Sequence, residues 1–102
     1  MIKVVISTDK STTKITSIEV KGHSNSAPKG KDLICAAVSA IITGGINALA
    51  DKDYCFILEE GHALIKANDI PSDYDGVVLK TIETQLRTIE ESNKQFVSIQ
   101  IL

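Results

Sequence analysis

The segment Asp32-Leu33-Ile34-Cys35-Ala36-Ala37-Val38-Ser39-Ala40-Ile41-Ile42-Thr43-Gly44-Gly45-Ile46-Asn47-Ala48-Leu49 holds the longest largely apolar run of the chain. Asp32 is a good N-cap, because its carboxylate accepts N–H bonds from a first helical turn. The helix it starts is expected to run to about Leu49 or Ala50. Nearly every face of it is apolar or small, so it is expected to lie buried against a sheet or a second subunit. Gly44 and Gly45 each cost roughly 1 kcal/mol relative to Ala in a helix interior, and close backbone packing is the usual compensation. The stretch is no membrane span, since Ser39, Thr43, the two glycines and Asn47 interrupt it and about 18 unbroken apolar residues are needed.

Outward from this helix the pattern turns to strands. Ile2, Val4 and Ile6 alternate with Lys3, Val5 and Ser7, the period of a strand. Asp9-Lys10-Ser11-Thr12 is a turn cluster. Lys14 to Lys21 reads as the return strand of a hairpin, with Thr16, Ile18 and Val20 on one face. Beyond the helix, Tyr54 to Glu59 and Ala63 to Asn68 read as a second hairpin closed by Glu60-Gly61. Pro71-Ser72 opens a second helix, where Ser72 and Asp75 resemble a capping box. Leu79, Ile82, Leu86 and Ile89 recur on its inner face, with Lys80, Glu83, Arg87 and Glu90 outside. Phe96 to Leu102 closes the chain as a strand. The order is β-β-α-β-β-α-β. An α+β fold follows: a single domain over residues 1–102, with two helices packed on one mixed sheet.

Composition narrows the function. The 102 residues carry 43% hydrophobic side chains, too many for a disordered chain. Lysines and arginines number 11 against 13 acids, a net charge of −2, so direct nucleic-acid binding is not expected. Aromatics are only 4%, without Trp, which leaves no base-stacking platform. Met1 to Ile6 is too short and too strand-like for a signal peptide. A cytoplasmic setting is the default, and there the two cysteines are free thiols. No Cys-x-x-Cys pair and no phosphate-binding glycine loop occurs, so neither a metal nor another cofactor is expected. Cys55, among Tyr54, Phe56 and Ile57, reads as a core residue, and His62 as an exposed turn residue. Glu90-Glu91 reads as a solvated helix face.

Cys35 stands out by position, as the third residue after the cap. A helix N-terminus favours a thiolate, but by only about 0.3–1 kcal/mol, less than the about 1.36 kcal/mol of one pKa unit. A nearby cation is needed, and His23 at the end of the second strand is the candidate. Cys–His pairing is a standard route to a thiolate nucleophile. N–H groups at the helix start are candidates for holding an oxyanion. Ser39 lies four residues after Cys35, on the same helix face. A polar segment runs up to Asp32, Gly22-His23-Ser24-Asn25-Ser26-Ala27-Pro28-Lys29-Gly30-Lys31, with nothing to hold it to a core. A mobile functional loop is expected there, including Gly22, Ser24, Asn25 and Gly30.

At these residues a resemblance emerges. Gly22-His23, a polar loop, and Gly30-Lys31-Asp32-Leu33-Ile34-Cys35-Ala36-Ala37-Val38-Ser39 closely resemble the ribosomal-processing cysteine protease family, Prp. Leu33 and Ile34 stand where the family has Ile and Val, and Ser24 where it usually has Ala. The resemblance implies a homodimeric endopeptidase that removes the N-terminal extension of a large-subunit ribosomal protein, number twenty-seven. It implies Cys35 as nucleophile and His23 as general base, with Asp32 and Ser39 near the site. The segment 22–31 matches the family's flexible cover over the substrate groove. Two other functions fit the residues: a non-catalytic ribosome-associated binding factor, and a redox sensor pairing Cys35 with Cys55.

Overall fold

The computed structural model describes residues 1–23 and 32–102. The expected order is the one observed: β1 (Ile2–Thr8), β2 (Ile15–Lys21), α1 (Leu33–Ala48), β3 (Tyr54–Glu59), β4 (His62–Ala67), α2 (Asp73–Ser92) and β5 (Val97–Ile101). The five strands form one sheet in the order β3-β4-β2-β1-β5. Neighbours are antiparallel except β1 and β5, which run parallel, so the sheet is mixed. Both helices lie on one face of it. Ile2, Val4, Ile6, Ile18, Val20, Ile65 and Val97 from the strands meet Val38, Ile42, Leu79, Ile82 and Leu86 from the helices in one core. The other face carries Lys3, Glu19, Lys21 and Lys66 and stays wet. Two layers suffice here, because a sheet needs one covered face to hide its apolar set.

The helix termini follow local chemistry. Asp32 sits in an extended conformation, and its Oδ1 accepts the N–H groups of Ile34 at 3.1 Å and Cys35 at 3.0 Å. Ser72 Oγ accepts the Asp75 N–H at 3.2 Å and starts α2. Only half of the expected capping box forms, since the Asp75 carboxylate turns the other way. It is fully buried and accepts from the N–H groups of Ala50 at 2.8 Å and Asp51 at 3.2 Å and from the Tyr54 hydroxyl at 2.8 Å. One carboxylate thereby ties the end of α1 and the start of β3 to α2. Burial pushes Asp75 up, yet these donors and the Lys52 charge outweigh it and hold Asp75 below the usual carboxylate range. Burial and the same carboxylate push the Tyr54 phenol well up.

Several sequence expectations need correction. The inward face of β2 includes Ile15, 4% exposed, in place of Thr16. Ser7 pairs with Ser17 but Thr8 pairs with Ile15, so Thr16 is the extra residue of a bulge, and the alternation slips by one there. Glu83 is buried, held between Lys80 Nζ at 2.9 Å and Arg87 Nε at 2.8 Å. Glu90 is only half-exposed, because it accepts the Ile99 N–H of β5 at 2.9 Å. Cys55 is not core: it is exposed, opposite Lys66 on the wet face of the edge strand β3. The inward set of β3 is Tyr54, Phe56 and Leu58, with Tyr54 and Phe56 stacked at 5.6 Å.

The covering of α1 also departs from expectation. Val38 and Ile42 are buried, but Leu33 is 80% exposed and Ala36, Ala40, Thr43 and Gly44 face outward. A single sheet and one neighbouring helix cover only one side of it. The expected close packing holds at one glycine of the pair. A Cβ on Gly45 would overlap the Ile82 side chain of α2, with Cγ1 at 2.6 Å, whereas one on Gly44 would meet no described atom within 4 Å beyond its own stretch of helix.

Candidate active site

The chain leaves β2 at a bend that only glycine accommodates well. Gly22 has φ +97°, and a Cβ there would run into the carbonyl oxygen of Met1. Its N–H donates to the Gly61 carbonyl in the β3–β4 turn at 2.9 Å. This pins the backbone just before His23 and fixes where the imidazole begins. The ring lies over Gly61: Nε2 is 2.9 Å and Cε1 3.4 Å from where a Cβ on that glycine would sit. Gly61 itself has φ +77°, as a tight hairpin turn requires.

Facing this turn is the first turn of α1. The Asp32 cap places Cys35 there, half-buried, and the Cys35 Sγ donates to Asp32 Oδ2 at 3.3 Å. The same carboxylate occupies the N–H groups of Ile34 and Cys35, donors expected from the sequence to receive an oxyanion. An oxyanion beside Cys35 therefore competes with Asp32 for the Cys35 N–H.

Between the two turns lies a cavity of about 390 Å³. His23, Asp32, Cys35 and Ser39 all line it, so the structure brings together the four polar residues the sequence singled out. Gly22 lines it too, while Ser24, Asn25 and Gly30 lie outside the described residues. The apolar part of the wall comes from Ile2, Val20, Val38, Ile42, Leu58 and Ala63. Cys55 is not part of the lining.

Sequence reasoning missed the contribution of the β3–β4 hairpin. Glu59, Glu60, Gly61 and His62 all border the cavity. His62 is a strand residue and half-exposed, not a free turn residue. Its Cα partner is Lys21, and its Nε2 meets Glu19 Oε2 at 2.8 Å, which places the imidazole on the wet face of the sheet. The signal that could have found the hairpin is Gly61, a glycine demanded by a turn and so able to take a side chain against its bare backbone. No described group of three or more His, Cys, Asp or Glu side chains is arranged to hold a metal ion. No described helix is long and apolar enough to cross a membrane.

A family model for the cysteine protease Prp matches residues 1–98. The chain belongs to the cysteine protease Prp family. It is similar to the ribosomal processing cysteine protease Prp of Staphylococcus aureus strain Mu50, with 31% identity over 83 residues, 76% of this chain and 78% of that protein. It is also similar to the Prp of Mycoplasma pneumoniae, with 30% identity over 105 aligned positions, 98% of this chain and 94% of that one. Among solved structures it resembles S. aureus Prp in complex with a covalently linked product peptide. That match has a TM-score of 0.92 and 28% identity, and covers 100% of both chains. The S. aureus enzyme in complex with a substrate peptide matches with a TM-score of 0.87 and 26% identity. The chain is thus a cysteine protease with the mixed-sheet fold of Prp.

Proposed function

We propose that Cys35 and His23 are the nucleophile and general base of an endopeptidase that removes the N-terminal extension of a large-subunit ribosomal protein. The observation that carries this is the shared cavity, with Cys35 on the first turn of α1 and His23 at the end of β2. The names of the relatives add the substrate class, since they are ribosomal processing proteases.

The chemistry runs as follows. His23 takes the proton from Cys35 Sγ. A sulfur left 3.3 Å from the Asp32 carboxylate is repelled once ionised, so the thiolate turns away from Asp32 into the cavity. It attacks the scissile carbonyl carbon, and the tetrahedral oxyanion draws on the Cys35 N–H in competition with Asp32. The C–N bond breaks as protonated His23 gives its proton to the leaving amine. His23 then deprotonates a water that hydrolyses the thioester, releasing the carboxylate and restoring the thiol. Val38, Ile42 and Leu58 form the apolar wall against which large substrate side chains N-terminal to the cut pack. Homodimerisation belongs to the same proposal, with the outward face of α1 around Leu33, Ala36 and Ala40 open to a second copy.

The test is incubation with a peptide spanning that N-terminal extension, with products mapped by mass spectrometry and Cys35→Ala in parallel. A single cut by the unaltered protein and none by the variant is expected. Binding without cutting would overturn the assignment in favour of a ribosome-associated binding factor.

A further inference from the structure

We propose, on the Cys35–His23 assignment above, that Gly61 is the positioning residue for His23: its bare backbone is the seat on which the imidazole rests. Two independent contacts tie the β3–β4 turn to the histidine. The Gly61 carbonyl accepts the Gly22 N–H at 2.9 Å, which fixes the main chain one residue before His23. The imidazole then lies across the Gly61 Cα, with Nε2, Cε1 and Cδ2 at 2.9, 3.4 and 3.7 Å from the position of a Cβ. His23 is otherwise exposed, and among the described residues this turn is what lies against its ring. An exposed base needs such a seat. A group that swings freely in solvent loses the alignment from which general-base catalysis draws its effect.

Which partner moves when a side chain is added at position 61 follows from the surroundings. The turn is clamped by the β3–β4 pairing, where Glu59 faces His62, and by the bond to Gly22. The His23 ring is the free end of a flexible side chain. A Cβ on Gly61 therefore displaces the imidazole, not the hairpin. The loss falls on the reactivity of Cys35 far more than on the fold. Part of the glycine requirement is conformational, because φ +77° suits few other residues. Asn tolerates that region best among residues with a Cβ, which makes Gly61→Asn the informative variant. Gly61→Ala is its companion.

The experiment is a double-mutant cycle read by the rate of Cys35 alkylation with iodoacetamide at neutral pH. It is run in a Cys55→Ser background, because the exposed Cys55 would otherwise react. The four proteins are the background, Gly61→Asn, His23→Ala and the combination. His23→Ala is expected to slow alkylation, and Gly61→Asn to slow it by at least about tenfold, a part of the about 10²–10⁴ a positioned acid–base group supplies. In the His23→Ala background, Gly61→Asn is expected to change nothing further, since it acts only through the ring. Equal slowing in both backgrounds would overturn the proposal, as the turn would then act on Cys35 or on the fold at large. So would an unchanged rate in Gly61→Asn with His23 present. An unchanged rate in His23→Ala alone overturns the Cys35–His23 assignment itself, and the seat with it.

Discussion

Gly44→Ala and Gly45→Ala are adjacent, chemically identical changes in α1 that should move stability in opposite directions. Each replaces the most flexible residue by the best helix former, a gain of about 0.8–1.0 kcal/mol in a helix interior. At Gly44 the gain is unopposed within the chain, for no described atom beyond its own stretch of helix lies within 4 Å of the added methyl. At Gly45 the methyl overlaps Ile82, whose Cγ1 lies 2.6 Å away in a closed part of the α1–α2 contact. Overpacking of this kind costs about 1–3 kcal/mol. The net for Gly45→Ala is then a loss of about 0–2 kcal/mol, and the two variants differ by about 1–3 kcal/mol. For a domain of this size each kcal/mol moves the midpoint by about 4–8 °C. Thermal unfolding should therefore place Gly44→Ala above the unaltered protein, and Gly45→Ala at least about 4 °C below Gly44→Ala. Ile82→Val, which deletes the terminal methyl, should recover part of the loss in a Gly45→Ala chain. A tenfold dilution series isolates any contribution from self-association at the exposed Gly44 face. Equal midpoints for the two alanine variants would refute the close approach of α1 to α2.

Further outcomes follow from single residues. Asp32→Ala should lower stability by about 1 kcal/mol through loss of the helix cap, and Asp32→Asn by only a few tenths; urea titration of both checks this, and equal losses would contradict it. Asp75 is held below the usual carboxylate range despite its burial, so its contribution is present above about pH 4 and is lost as pH falls through its lowered value. Asp75→Asn should accordingly lower stability at neutral pH and flatten the acid side of the stability–pH curve, a change urea midpoints from pH 2 to 7 would reveal. Cys55→Ser should leave peptide cleavage within twofold of the unaltered rate, since Cys55 faces solvent with Asn68 and lies outside the cavity; a large loss would reopen the redox pairing.

Much of the fold was legible because its signals are local. Alternation in β1, the Asp32 and Ser72 caps and the apolar spacing of α2 each depend on a few neighbouring residues, and all of them hold. The catalytic candidates were legible for a similar reason: a cap three residues before Cys35 sets that cysteine at a helix start wherever the helix goes. The misses depend on packing and pairing that the local pattern does not report. The face of Cys55 follows from the pairing of β3 with β4 alone and from its place at the sheet edge. Glu83 is buried because Lys80 and Arg87 close over it beside the β1–β2 hairpin, so its outward helical phase did not decide its exposure. A bulge at Thr16 inverts the alternation that had placed Thr16 inward. The open side of α1 reflects a single-sheet architecture that helix composition cannot report. Gly61 was legible as a turn, and its contact with His23 was not, since nothing in the turn sequence names the residue that will rest on it.

Cys35 and His23, proposed as nucleophile and base, should act as one unit within their shared cavity. The most direct test is kcat/KM for cleavage of the ribosomal extension peptide by the unaltered protein, Cys35→Ala, His23→Ala and the double variant. Residues that work as a unit are strongly non-additive. Both single variants should fall to the same floor, and the double variant should fall no further. A His23→Ala protein that keeps its rate within about tenfold, well short of the loss of a general base, would contradict the account, as would any cleavage by Cys35→Ala above that floor.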